Sequence, residues 1–407
     1  MINRKILTPA FVLVCGTAIL LISFGVRQNF GLYMRPMSID LGWGREVLSF
    51  AIALQSLIWG IATPLMGFLA DRYGPAKIVA AGGFLYACGL YILSIASDPI
   101  DATFGVGIFT GIALSMTSFP IILSVIGRRY SPIKRSLILG IATAGGSSGQ
   151  LFLVPIGHWF IDDMGWIKSL IFLALLSAVI VPLSVAMAGG NRRADDEHAN
   201  QTFSDAILEA RTHSGFILLT LGYFVCGFQT SFISAHLPAY LSDLGQPSWA
   251  GATALMLIGG FNVIGCIFWG KWGDLNSKKN LLALLYFLRS IVMLAFILMP
   301  ITSTSLIIFS SLLGLLWLGT VPLTAGVVVQ IFGTQYMATL VGLTFVGHQI
   351  GAFLGVWLGG IVYDLTGNYD YIFWGGVVLG LIAAIIHFSL DDRPIPRFAD
   401  TSTITVR

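Results

Sequence analysis

The chain is poor in charge. Of its 407 residues, 10% are Asp, Glu, Lys or Arg and 56% are hydrophobic. A soluble domain carries about 25% charged residues, so a water-facing globular surface is excluded. A mean hydropathy of +0.86 leaves a polytopic helical membrane protein as the class that fits. Cysteine is scarce too. Cys15, Cys88, Cys226 and Cys266 all lie in apolar stretches and read as small packing residues, not as disulfides or metal ligands. The net charge of +3 is too small to suggest a nucleic-acid partner. Acid is missing where it would matter most, because no Asp or Glu lies as deep in an apolar stretch as Arg27 and Arg289 do. No metal-ligand spacing, nucleophile–base arrangement or dinucleotide fingerprint is present. Gly145-Gly146-Ser147-Ser148-Gly149 lacks the Lys-Ser/Thr ending of a phosphate loop. No cofactor, no metal and no catalytic residue is therefore expected.

What the chain has is length in hydrocarbon. A membrane span needs about 20 apolar residues. The first half offers stretches at roughly 9–34, 46–68, 76–97, 102–126, 136–161 and 166–188. The second half offers roughly 215–240, 248–269, 280–300, 304–331, 336–363 and 371–390. The expected fold is all-α and integral to the membrane, with twelve transmembrane helices. Residues 1–188 and 214–390 are expected to form two pseudo-symmetric six-helix bundles. A polar linker at 189–213, with a short surface helix over 203–211, and a mobile polar tail at 391–407 complete the plan. Arg4 and Lys5 precede the first apolar run and no small-residue cleavage site follows, so that run reads as a span, not a removed signal peptide.

Basic residues orient the chain. With both termini on the cytoplasmic side, 17 of the 22 Lys and Arg fall in cytoplasmic segments. Only Arg35, Arg45 and Lys168 fall outside, and Arg27 and Arg289 remain within spans. The halves also repeat. At an offset of 202 residues, Gly140, Gly145, Gly149, Val154, Gly157 and Asp162 match Gly342, Gly347, Gly351, Val356, Gly359 and Asp364. Glycines at such steps mark a helix face that meets a neighbour closely. Two parallel halves related by an axis along the membrane normal place a ligand site between them, near the midplane.

One polar turn stands out: Gly67-Phe68-Leu69-Ala70-Asp71-Arg72-Tyr73-Gly74-Pro75-Ala76-Lys77. A weaker copy, Gly270 to Lys279, keeps Gly270, Asp274 and Lys278 but lacks the second glycine. The first copy resembles the signature between spans two and three of the major facilitator superfamily. The likeness extends over essentially the whole chain. Asp40-Leu41-Gly42-Trp43-Gly44-Arg45 and Gly347-His348-Gln349 are similar to the bacterial monocarboxylate-transporter-like and oxalate:formate-antiporter-like branch. The resemblance implies a monomeric secondary transporter of the bacterial inner membrane, working by alternating access. It also implies that the turn gates the cytoplasmic side, with Gly67, Asp71, Arg72, Arg128, Arg129 and Asp274 as the gating residues. Two family features are missing: a span-4 arginine in 102–126 and a charged pair in 248–269.

A charge at the bilayer centre costs about 2.5–3.5 kcal/mol on insertion scales. Two span cations without a buried acid therefore point to a small organic anion as cargo, a monocarboxylate, with the lipid bilayer as the other partner. Arg27, Asn29, Tyr33, Gln55, Asn262, Arg289, Trp317, His348 and Gln349 are the candidate binding residues. His236 and His348 are the candidate proton carriers, because histidine alone titrates near neutral pH without perturbation. Two alternatives stay open: anion exchange without a proton, and efflux of an apolar or aromatic compound with Arg27 as a structural residue.

Overall fold

The computed structural model describes residues 8–127, 129–130, 132–188, 203–333 and 337–395, excluding the side chains of Asp71, Phe203, Ala338 and residues 132–137. Among the described residues, twelve helices are long and apolar enough to cross a membrane. Spans 1–6 are Pro9–Leu41, Arg45–Ala70, Pro75–Ser94, Pro99–Gly127, Ile138–Met164 and Trp166–Met187. Spans 7–12 are Ser214–Asp243, Trp249–Leu275, Lys278–Leu298, Ser303–Phe332, Thr339–Thr366 and Asp370–Phe388. No strand occurs among the described residues. The expected stretches are matched closely except that span 8 runs six residues further, to Leu275, and except at the end of span 1. There the helix runs on through polar Arg35, Ser38 and Asp40 until Gly42, at φ 68°, turns the chain out of it. Hydropathy marks where apolar residues stop, and a helix can continue beyond that point.

The sequence repeat is a repeat in space. Span 1 packs along span 5, and span 7 packs along span 11. A Cβ at Gly149 would overlap the Leu21 carbonyl, and one at Gly351 would overlap that of Phe224. Gly145 and Gly347 meet Thr17 and Thr220 in the same matched way. The halves join along span 2 against span 11 and span 5 against span 8. The distal half of span 1 also lies on span 7.

The two turn copies differ for a local reason. Gly74 sits at φ 98°, a conformation that only glycine adopts readily. The matching turn runs through Asn276 at φ −134° and Ser277 at φ −60°, so it needs no second glycine. After span 6, residues 189–202 lie outside the described chain. The expected surface helix appears as Phe203–Thr212. The tail expectation needs correcting for its first residues. Ile395 N–H donates to the Ile331 carbonyl at 3.1 Å, and Lys279 pairs with Asp392 at 3.3 Å. Residues 391–395 are thus tied to spans 9 and 10.

Among the described residues four spans are interrupted, span 6 among them at Val179. Span 1 breaks at Asn29. Span 4 contains a π-helical stretch, Thr103–Thr110, and breaks after Met116. Span 10 breaks between Leu315 and Thr320. The 202-residue offset carries Thr117 onto Gly319, so the breaks in spans 4 and 10 are symmetry mates. Paired interruptions of this kind mark transporter binding regions. Backbone opened in a bilayer must be satisfied by protein, and here it is. In the first half, Thr117 Oγ1 donates to the Ala113 carbonyl and Ser118 Oγ to the Ser115 carbonyl, each at 2.9 Å. In the second, Asn262 Oδ1 accepts from Leu318 N–H at 3.0 Å, and Arg289 donates to the Leu316 and Trp317 carbonyls.

Candidate functional site

The helix carrying span 2 ends on one face of the molecule together with the start of span 1 and the Phe203–Thr212 helix. We call this the linker face, and the opposite one the distal face. The distal face is shut. Arg45, the first residue of span 2, reaches across to span 7 and donates to Asp243 at 2.6 Å. Its guanidinium lies 3.7 Å over the Tyr363 ring and donates to Tyr369 Oη at 2.9 Å. Asp364, on span 11, accepts from the Arg45 and Glu46 N–H groups at 3.0 and 2.8 Å. It thereby caps the exposed amides of a helix N-terminus with charge of the favourable sign. Ser248 and Asp162 join spans 8 and 5 at the same level at 3.0 Å.

The linker face is open. Moving from the distal face down the span 2–span 11 seam, a Cβ on Gly360 would meet Ser49, and one on Gly60 would meet Gln349. One on Gly67 or Gly342 would meet nothing within 4 Å, and the same is true of Gly140 on span 5. Among the described residues, every hydrogen bond between the halves lies between the distal face and the level of Asn262 and Ser147, which meet at 3.2 Å. The halves therefore form a cleft that widens toward the linker face.

At the apex of the cleft sits a polar relay. Arg27 Nη2 donates to Ser56 Oγ at 3.2 Å. Gln349 Nε2, from the other half, donates to the Ser56 carbonyl at 3.1 Å. Gln349 Oε1 lies 3.0 Å from His348 Nδ1. Arg27 Nε and His348 Nε2 have no hydrogen-bond partner among the described residues. The Arg27 guanidinium stands 5.2 Å from the Trp59 ring centroid. No carboxylate approaches it among the described residues. One hydrogen bond, worth about 0.6 kcal/mol in a membrane, and one cation–π contact of about 0.5–2 kcal/mol together reach at most the lower edge of the roughly 2.5–3.5 kcal/mol cost of the charge. Water in the cleft or an anion can supply the rest.

Other candidates lie elsewhere. Arg289 is fully buried, and its donors are spent on Leu316, Trp317 and Gln229. It repairs span 10 and faces no cleft. Trp317 is part of the same break. Asn262 is divided, with its carbonyl on Leu318 and its amide on Ser147 at the cleft wall. Tyr33 is buried inside the first half, its hydroxyl 2.7 Å from Ser169 Oγ. Asn29 and Gln55 are also fully buried, donating to the Gly25 carbonyl and Thr110 respectively. His236 belongs to the distal closure, with Nδ1 3.1 Å from Tyr369 Oη and Nε2 2.8 Å from the Val356 carbonyl. Arg72 lies beside Tyr73, Arg129 donates to the Ala188 carbonyl at 2.8 Å, and Asp274 is exposed. The Asp71 side chain and Arg128 lie outside the described residues.

Arg45, Asp243, Tyr363, Asp364 and Tyr369 were not among the sequence candidates. Tyr369 is fully buried, and Trp166 donates to Asp40 at 2.8 Å. Asp364 did carry a signal, its match to Asp162 across the repeat.

The family model described as Major Facilitator Superfamily matches residues 15–356. The chain belongs to the Major Facilitator Superfamily. It is 28% identical over 372 residues to the uncharacterized MFS-type transporter YcxA of Bacillus subtilis, covering 88% of this chain and 90% of that protein. It is 24% identical over 385 residues to monocarboxylate transporter 13 of Rattus norvegicus, covering 90% and 86%. Among solved structures, a bacterial homologue of the human lysosomal transporter Spinster, inward-facing and unoccupied, superposes with a TM-score of 0.76. That match has 15% identity and covers 95% of this chain and 99% of the other, a likeness of fold. The chain is a multi-pass membrane transporter of this superfamily, and monocarboxylate transporters are among the proteins it is similar to.

Proposed function

We propose that this transporter carries a small monocarboxylate with a proton across the bacterial inner membrane, as a monomer, by rocking its halves about the apex of the cleft. The observation that carries the reading is Arg27, a cation at the apex with an unspent Nε–H and no acid beside it among the described residues. A carboxylate matches a guanidinium edge in shape and charge. His348 ends the relay that starts at Arg27 and has a free nitrogen, so it is assigned the proton. Placing the linker face in the cytoplasm follows the basic residues, which makes the present conformation inward-open. Arg45 and Asp243 then hold the outer side closed. Gly67, Asp71, Arg72, Arg128, Arg129 and Asp274 form the inner contacts when the cycle reverses.

The test is uptake into proteoliposomes across a panel of carboxylates, with and without an inward proton gradient. Wild type accumulates a monocarboxylate only with the gradient. Arg27→Lys, which keeps charge but loses the planar fork, lowers uptake by about tenfold or more. Uptake that Arg27→Lys leaves intact removes the carboxylate assignment. Uptake indifferent to the gradient replaces symport with exchange.

A further inference from the structure

The walls around Arg27 are aromatic. Phe24 on span 1 meets the Trp59 ring edge-on, with centroids 5.5 Å apart and planes at 72°. Phe119, just past the break in span 4, lies 4.4 Å from Phe24. Phe345, from the other half, meets Trp59 at 5.2 Å and 75°. Phe345 also runs parallel to the His348 ring, at 12° and 5.7 Å. Gly342, Phe345, Val346 and Gln349 fall at helical spacing on one side of span 11. Gln349 and Phe345 of that set touch span 2, so this side faces the cleft. Phe24, Phe119 and Phe345 each keep part of their surface exposed. An aromatic lining drawn from three spans of one half and one of the other thus extends from the Trp59 ring that meets Arg27.

We infer that the cargo is an arylcarboxylate, a flat aromatic ring carrying one carboxylate on a short stem. This rests on the carboxylate reading of Arg27 and goes further by specifying the body of the molecule. The carboxylate takes the Arg27 guanidinium. The ring lies among Phe24, Phe119 and Phe345, where edge-to-face and offset contacts favour another aromatic over an alkyl chain of equal area. A short hydroxy acid fits poorly. Ser56 Oγ offers its hydroxyl nothing, because it already accepts from Arg27 and donates to the Ile52 carbonyl at 3.3 Å. Such an acid also leaves three aromatic faces against water. Each methylene-sized piece of missing apolar contact is worth roughly tenfold or more in discrimination, and a phenyl ring supplies several.

The experiment is calorimetric titration of the purified full-length transporter with phenylacetate, propionate and 2-phenylethanol. The expected result is phenylacetate binding at least ~10-fold more tightly than propionate, and 2-phenylethanol binding more weakly than phenylacetate. In Phe345→Leu the preference for phenylacetate over propionate shrinks to within about threefold, in line with loss of one ring contact. Phe24→Leu serves the same purpose if Phe345→Leu fails to fold, and the unliganded melting curve of each variant reports that. Propionate binding as tightly as phenylacetate overturns the aryl assignment and leaves the carboxylate reading standing. 2-Phenylethanol binding as tightly as phenylacetate overturns both, because the charge would then count for nothing. A phenylacetate preference untouched in both leucine variants places the ring elsewhere and likewise overturns the inference.

Discussion

Arg45 and Asp243 close one face of the cleft as a two-pronged pair, with Nη1 and Nη2 each 2.6 Å from a carboxylate oxygen. Two parallel charged bonds fix direction as well as distance. The side chains are 6% and 24% exposed, so water screens them only in part. Removing one partner of a buried pair costs about 3–5 kcal/mol, much of it from stranding the other charge. In a carrier that cost falls on the distal-closed conformation alone, since the pair must part when the face opens.

Asp243→Asn and Arg45→Met should therefore shift the population toward distal-open states. A change of about 3 kcal/mol corresponds to roughly a hundredfold in the equilibrium. The measurement is the labelling rate of a cysteine placed at Ser234, whose carbonyl packs against Gly31 in the closed seam. Labelling should accelerate in both variants. Equal rates in wild type and both variants would assign the closure to other contacts, Asp364 first among them.

Two glycines offer a matched test of the rocking motion. A Cβ at Gly31 would collide with span 7, whereas one at Gly67 would touch nothing within 4 Å. Gly31→Ala should lower the stability of this conformation by about 1–3 kcal/mol, the usual cost of overpacking. Gly67→Ala should leave the melting temperature alone yet slow transport, because span 2 must pack closely there once the linker face shuts. Melting curves and uptake rates of the two variants separate these outcomes. Unimpaired transport by Gly67→Ala would mean that no tight contact forms at that turn.

The twelve spans could be read from the sequence because lipid imposes a length and a composition on each. The repeat could be read because close helix contact selects glycine at fixed spacing, as at Gly149 and Gly351. The distal closure could not. Arg45 reads as a loop cation, and its partners lie 198 residues away at Asp243 and 324 residues away at Tyr369. No local pattern announces a pairing over such separations. Arg27 and Arg289 looked alike in sequence and differ in space for one reason. Span 10 breaks beside Arg289 and hands it carbonyls, whereas Arg27 meets a hydroxyl and an aromatic face.

That difference makes Arg289 a stability residue. Replacing it with Met strands the Leu316 and Trp317 carbonyls and the Gln229 amide oxygen, all within the bilayer. A buried acceptor left unpaired costs about 1–3 kcal/mol, so Arg289→Met should unfold several degrees below wild type. The KM of the protein that does fold should change less than twofold or so. A large rise in KM without loss of stability would return Arg289 to the binding site.

The histidines divide the work between coupling and closure. His236 has both nitrogens engaged. Tyr369 accepts from Arg45 and so has its own proton to give to His236 Nδ1, which leaves Nε2–H for the Val356 carbonyl. Both nitrogens are thus committed to the closed face. His348 has a free Nε2 at the end of the relay. For symport, uptake rises as external pH falls, since the proton enters with the anion. His348→Gln should abolish substrate-driven alkalinisation outside the vesicles while substrate exchange persists. His236→Gln should keep the alkalinisation and speed labelling at the Ser234 position. A pH electrode in a weakly buffered proteoliposome suspension reads both, and alkalinisation lost in His236→Gln but kept in His348→Gln would move the proton to the distal face.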